Sequence, residues 1–261
     1  LEDLSVAAKS MEFDAVVHLA GEPLFPGRWT TKKKRALAGS RVGLLQSVLG
    51  MLREAPKMPK VVVSASAVGF YGNSGDEVCY EESAMGSDFL ARLCGEWERV
   101  ALEESRRMLP GVRAVALRLG VILAPDGGVL AKMTPVFRWG AGAILGYGRQ
   151  WMSWVHVEDV CRAVLWAVER EDAAGVYNVV APEPVTNKEF SHVLAAGVRR
   201  HVFPIPVAAF VLRFAFGEAA SVLLSSQRVS SRKLEEAGFV FEYPLISKAI
   251  NEILKTSSES L

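Results

Sequence analysis

VVVSASAVGFYG, residues 61–72, decides how the chain is read. With Lys60 before it, the run KVVVSAS is apolar without alternation, the pattern of a strand covered on both faces of a parallel sheet. Its second half passes Ser64, Ser66, Gly69 and Gly72 and opens into a turn. Such a strand delivers small and hydroxyl-bearing residues to the carboxyl rim of a sheet, where open α/β sheets bind ligands.

The flanking segments keep that rhythm. DAVVHLAG (14–21) is a β-rich run ended by glycine. Residues 29–54 place Leu37, Val42, Leu45, Val48, Leu49 and Leu52 near helical spacing, and 87–108 do the same with Phe89, Leu93, Trp97 and Ala101. VRAVALRLGVIL (112–123) is a third strand, and PDGG (125–128) turns into a helix ending near Trp139. WMSWVHVEDV (151–160) passes from strand to helix, and GVYNVVAP (175–182) is a short strand. Thr186 with Glu189 three places on forms a capping-box signature for a helix to 198. Residues 206–226 read as apolar helix, 230–239 and 244–254 as a closing turn-and-helix pair, and LEDLSVAAKS (1–10) as the tail of a helix. Alternating strands and helices with buried strands predict an α/β fold, a doubly wound parallel sheet with a small, mostly helical C-terminal region. The expected division is 1–180 and 181–261, with some exchange of segments. Leu19–Gly21, Ser64–Ser66 and Leu119–Ile122 then share one rim.

The bulk numbers exclude more than they assign. Of 261 residues, 50% are hydrophobic and 23% charged, enough for a large core, and the net charge of +1 gives no reason to expect nucleic acid or membrane as a partner. The basic run Lys32–Arg35 reads as a solvated helix end, with a phosphate-handling surface as the alternative. No apolar run reaches the ~18 residues of a membrane span; VAAFVLRFAF (207–216) is interrupted by Arg213. Cys79, Cys94 and Cys161 fit no metal spacing and read as reduced thiols of an intracellular protein, cytoplasmic or organellar. No signal peptide stands out, and the chain starts at Leu1 rather than Met.

Several motifs invite a function. GFYGNSG (69–75) matches a glycine-rich phosphate loop, but its glycines lead into the acidic, turn-prone DEVCYEES instead of a helix N-terminus. GAGAILGYG (140–148) follows a helix and reads as a loop. His156 beside Glu158 and Asp159 could serve acid–base chemistry; the acids equally suit a helix N-terminus, with the imidazole satisfied by hydrogen bonds. Glu81, Glu82 and Asp88 show no support for a hydrolytic pair, and His18, His192 and His201 have no metal-ligand spacing, so no metal is expected.

The order of the pieces carries more than any one of them. HLAG, GSRVGLL, SASAVGFYG, FLARLCGEWE, RLGVILAPDGG, WVHVEDV, YNVVAP and the tail RKLEEAGFVFEYP together resemble the extended short-chain dehydrogenase/reductases, and more narrowly the atypical "epimerase family protein" (YfcH-like) group. The resemblance spans nearly the whole chain. It implies a Rossmann-type domain binding NADP(H), or NAD(H), a small-molecule substrate of unknown identity, and a C-terminal substrate region; a homodimer is compatible with it. It implies cofactor contacts at Leu19, Ala20 and Gly21, Arg41 near a cofactor phosphate, Ser64, Ala65 and Ser66 under the nicotinamide ribose, and Gly120, Val121 and Ile122 near the nicotinamide.

Two departures qualify it. The family's amino-terminal glycine-rich fingerprint should precede HLAG by roughly 60 residues, two β–α units, yet Leu1 stands only 17 places before His18. Truncation or disorder is the expected cause, since Val16–Leu19 would otherwise be a bare sheet edge. The Tyr-x-x-x-Lys pair that supplies acid–base chemistry in most short-chain reductases is also missing: residues 75, 84, 151, 181 and 247, four places after each tyrosine, are Gly, Ala, Trp, Ala and Ser. Ser66 holds the position of the substrate-facing hydroxyl, and Tyr71 is the candidate to stand in as acid or base. The readings left open are an oxidoreductase or epimerase-like enzyme with unusual acid–base groups, and a dinucleotide-binding protein that regulates or binds partners without catalysis.

Overall fold

The computed structural model describes residues 12–25 and 27–259, with side chains to 256; the helix tail expected over 1–10 lies outside them. Four parallel strands form the central sheet in the order β1 (Ala15–His18), β2 (Val61–Ala67), β3 (Arg113–Leu119) and β4 (Gly175–Val179). The unalternating run of β2 is buried because both faces are covered. On one face Val61 and Val63 pack with Val115, Leu117 and the helix Val157–Glu169. On the other, Val62 packs with Leu45, Leu49 and Trp97. Each such side chain removed from water contributes roughly 1.5–3 kcal/mol. Among the described residues β1 pairs on one side only, and Val17 on it is 42% exposed.

The first helical stretch is continuous but uneven: α1 (Thr31–Ala38) runs through a π-helical turn, Gly39–Gly43, into α2 (Leu44–Leu52). The Thr30 hydroxyl caps α1 by accepting from the Lys33 amide. Helix α3 (Phe89–Arg99), capped by Asp88, likewise continues through a π-helical turn at Val100–Glu104. Thr186 and Glu189 form the expected capping box on Asn187–Gly197.

Three expectations are corrected. The strand read over 112–123 divides at Gly120: its amide donates to Val179, but that of Val121 donates to Ser153, and Val121–Leu123 pairs with Trp154–His156. A Cβ at Gly120 would sit 2.8 Å from the Ser153 carbonyl oxygen, so the crossing between the two pairings needs glycine. The apolar stretch 206–226 is not one helix. Phe203–Val207 is a strand, tolerating Pro204 and Pro206 because it is peripheral, and Gly217, with φ of 60°, breaks Ala209–Phe216 from Ser221–Leu224. Its partner strand is Ala143–Leu145, inside what reads as the loop GAGAILGYG. The segment from Ala209 to Glu218 is moored to the stretch between β1 and α1 and to α1 itself: Phe25 meets Phe216 edge-on, Arg28 donates to the Phe214 carbonyl, and Lys34 pairs with Glu218 at 2.6 Å.

Candidate functional site

Sheet register assembles the site. Ser66, Arg118 and Asn178 are lateral partners on β2, β3 and β4, and His18 and Ser64 are partners two residues earlier. Period-two alternation therefore puts all five on one face at the carboxyl ends of the strands, beneath α3.

The side chains in this row are buried and joined. The Ser66 hydroxyl donates to Glu98 Oε1 at 2.6 Å. Arg118 grips the same carboxylate with two parallel bonds, Nε to Oε1 and Nη2 to Oε2, both 2.8 Å. Its Nη1 donates to the Tyr71 hydroxyl at 2.8 Å and to the Glu81 carbonyl. Tyr71 in turn donates to Asn178 Oδ1 at 2.7 Å, and the Asn178 amide donates to the Glu81 carboxylate. The Phe70 ring lies 3.5 Å from the Arg118 guanidinium. Burial pushes the Tyr71 phenol up to about 12, with Arg118 opposing that rise. Ser66 and Tyr71 thus belong to one network, but both hydroxyls are engaged by protein and neither opens to solvent. A phenol held near 12 is far from the pKa suited to proton exchange at neutral pH.

Beside the network, His18 Nδ1 accepts from the Trp97 indole at 3.3 Å, with the Ser64 hydroxyl 3.5 Å away. That bond leaves the imidazole proton on Nε2, which is buried without a partner. Burial, with Arg41 nearby, lowers the His18 pKa and keeps the ring neutral.

The rim is different. Leu19, Ala20 and Gly21 are exposed where β1 ends. Arg41, from the π-helical turn, lies directly behind them: a Cβ on Gly21 would fall 2.9 Å from the guanidinium carbon. The guanidinium donates to the Glu22 carbonyl at 3.0 Å and to Leu37, and it faces the Trp97 ring at 5.5 Å. The Glu22 amide donates to Ser40. The turn thus holds a cation against an exposed strand-end backbone; π-helical insertions often occur at such functional positions. Of the other positions implied by resemblance, Ser64, Ala65, Ser66 and Gly120 are buried, and Val121 and Ile122 are half-buried.

In GFYGNSG the chain makes a short 3-10 turn over Val68–Tyr71, and Gly72 packs against Gly86. WVHVEDV proves to be a clasp. His156 caps its helix, stacks on Tyr243 at 3.8 Å and meets Glu252 at 3.2 Å. The buried Asp159 accepts the amides of Glu242 and Tyr243. Glu98, Arg118 and Asn178 are the members of the network that motif reading missed. The available signal was a charged residue inside an unbroken apolar strand, Arg118 in VALRLGVIL, which must be paired if buried.

A family model for the NAD-dependent epimerase/dehydratase family matches residues 2–180, and one for a domain of unknown function (DUF1731) matches 207–253. The chain belongs to the NAD-dependent epimerase/dehydratase family. It is 39% identical over 243 residues to the "epimerase family protein SDR39U1 homolog, chloroplastic" of Arabidopsis thaliana, covering 92% of this chain and 68% of that one. With the Bacillus subtilis "epimerase family protein YfhF" the identity is 35%, covering 92% and 78%. The crystal structure of human epimerase family protein SDR39U1 (isoform 2) with NADPH superposes with a TM-score of 0.89 at 32% identity, covering 97% of this chain and 85% of that one. Thermus thermophilus UDP-glucose 4-epimerase, at 18% identity and a TM-score of 0.77, shares the fold. Membership of this family confirms the resemblance read from sequence. Among the described residues no helix is long and apolar enough to cross a membrane.

Proposed function

We propose that this chain binds NADP(H) along the rim formed by Leu19–Gly21 and is a nicotinamide-dependent oxidoreductase or epimerase-like enzyme. One observation carries the reading: the exposed backbone of Leu19–Gly21 is backed by the half-buried guanidinium of Arg41. Exposed main chain with a fixed cation behind it suits an anionic dinucleotide. The relative crystallised with NADPH supports NADP(H) over NAD(H). When bound, a nicotinamide dinucleotide supplies hydride transfer. The chain's own contribution is to line the rim with Leu19, Ala20 and Gly21, to offer charge from Arg41, and to present Val121 and Ile122 as a half-buried wall. Ser66 is fixed beneath by Glu98.

The saturated network favours a second reading, a dinucleotide-binding protein that does no chemistry, because the hydroxyls of Ser66 and Tyr71 already have protein partners.

Calorimetric titration with NADPH and NADH tests the first reading. Wild type is expected to bind NADPH more tightly than NADH, and Arg41→Met to lose about tenfold or more, the scale of a charge-assisted hydrogen bond. Absence of NADPH binding by wild type, or equal affinity in a folded Arg41→Met, rejects it. Turnover over a panel of carbonyl compounds separates enzyme from binder.

A further inference from the structure

A second opening, lined by none of the rim residues, is a cleft of ≈ 660 Å³. One wall is the turn that follows Gly72 and so continues from the carboxyl end of β2. Another is the loop Gly146–Gln150, and the third is built from Ala209, Arg213 and Leu224. A smaller hollow of ≈ 460 Å³ shares Arg213 and Leu224.

Its polar lining is mostly committed. Asp76 Oδ1 accepts from the Trp151 indole at 2.8 Å. The Gln150 amide donates to the carbonyls of Leu145 and Leu223. The Ser226 hydroxyl donates to the Gly75 carbonyl and accepts from the Trp151 amide. In the smaller hollow Glu218 is paired with Lys34. The guanidiniums of Arg149 and Arg213 and the Tyr147 hydroxyl are exceptions: among the described residues none has a side-chain hydrogen bond or ion pair, and Asp76 is bonded through Oδ1 alone. Around them the surface is apolar. Tyr147 is 91% exposed, and Phe210 and Phe214, flanking Arg213 on the same helix, are 73% and 80% exposed.

We infer that this cleft binds an amphipathic organic anion: one carboxylate or phosphate head held between Arg149 and Arg213, with a hydrophobic body against Leu224, Ala209 and Tyr147. Two unpaired guanidiniums give an anion its hydrogen-bond donors. Apolar walls with few convergent polar groups are the usual make-up of a small-molecule site. A ligand rich in hydroxyls finds little to bond with, because Gln150 and Ser226 already have partners and unpaired polar groups on the ligand would be desolvated at a cost. As the substrate site of a nicotinamide enzyme, the cleft rests on the function proposed above; as a binding site it stands without it.

Calorimetry with four probes tests this: octanoate, octyl phosphate, 1-octanol and UDP-glucose. Octanoate or octyl phosphate is expected to bind, with 1-octanol and UDP-glucose at least tenfold weaker, and the order of the two anions names the head group. Arg149→Gln and Arg213→Gln, both surface changes, should each weaken the anion about tenfold or more and leave NADPH affinity unchanged. The inference is overturned if neither anion binds, if both variants bind as wild type does, or if UDP-glucose binds most tightly. Anion binding through Arg213 without any NADPH binding rejects the cofactor reading and supports the cleft. NADPH binding without anion binding rejects the cleft alone.

Discussion

Two arginines on the same face of the sheet show opposite uses of one side chain. Arg118 is 3% exposed, with four donated hydrogen bonds and an aromatic ring against it. Arg41 lies half-buried under an exposed glycine, bonded to the Glu22 carbonyl after β1 and to the Leu37 carbonyl one turn back on its own helix. Arg118 is bound by its surroundings on every side, so it fixes geometry and has nothing left for a ligand. Arg41 is held in place by bonds that leave its charge at the surface. The most reactive-looking residues, Ser66, Tyr71, Glu98 and Arg118, form a closed circuit, whereas the strand-end backbone of Leu19–Gly21 is exposed with the Arg41 guanidinium behind it.

The contrast breaks most visibly at Glu98. Glu98→Ala leaves Arg118 as an uncompensated buried charge and should cost about 3–5 kcal/mol, a fall in Tm on the order of 10 °C at this chain length. Urea and thermal unfolding measure it. Adding Arg118→Met should recover part of the loss, because the two residues are one interaction. A loss below about 1 kcal/mol for Glu98→Ala would mean that the network is not what holds these strands in place, and the distinction between the two arginines would fall.

Tyr71→Phe is a milder probe. It removes the donor to Asn178 and an acceptor from Arg118, for an expected 1–3 kcal/mol or so, with NADPH affinity unchanged. It also has a pH signature. The phenol sits near 12 in the folded chain against an ordinary value of 10.0, so the folded state holds that proton more tightly than the unfolded one. The contribution is complete below pH 10 and is lost as pH rises through about 12. Wild type should lose stability over that alkaline window, and Tyr71→Phe should lose less of it. Tyr243, also near 12, titrates in both proteins and drops out of the difference. A change of NADPH affinity between pH 7 and 10 that Tyr71→Phe abolishes would return Tyr71 to an acid–base role.

How much of this was legible follows from what each feature depends on. The four sheet strands and the capping box at Thr186 rest on local pattern, which located them but not the break of the third strand at Gly120. That Leu19–Gly21 follow directly on the end of β1 came from strand-end logic. The network did not come through, because Ser66, Glu98, Arg118 and Asn178 are far apart in the chain and meet only through parallel register and the docking of α3. The helix read over 206–226 held in part: Ala209–Phe216 and Ser221–Leu224 are helical, but Pro206 and Val207 end a peripheral strand and Gly217 at φ 60° breaks the rest, neither of which apolar content alone reveals. The clasp made by His156 and Asp159 needed the C-terminal tail folded back to be visible.

The smallest expected effect is the sharpest test of Arg41. In Gly21→Ala the new Cβ would lie 2.9 Å from Arg41 Cζ and 3.0 Å from Nη2. The obstacle is the far end of a flexible side chain, and Gly21 has no positive φ to protect. Displacing the guanidinium is therefore cheap, and the lower chain entropy of alanine in the unfolded state offsets part of it, by about 0.4–1 kcal/mol. Stability should stay within roughly 0.5 kcal/mol of wild type, the range of ordinary surface substitutions. NADPH affinity should nonetheless fall several-fold, because the cation moves away from the backbone it supports. Unchanged affinity at unchanged stability would show that the Arg41 charge does not reach the ligand, and Arg41 would then join Arg118 as a residue that serves only the fold.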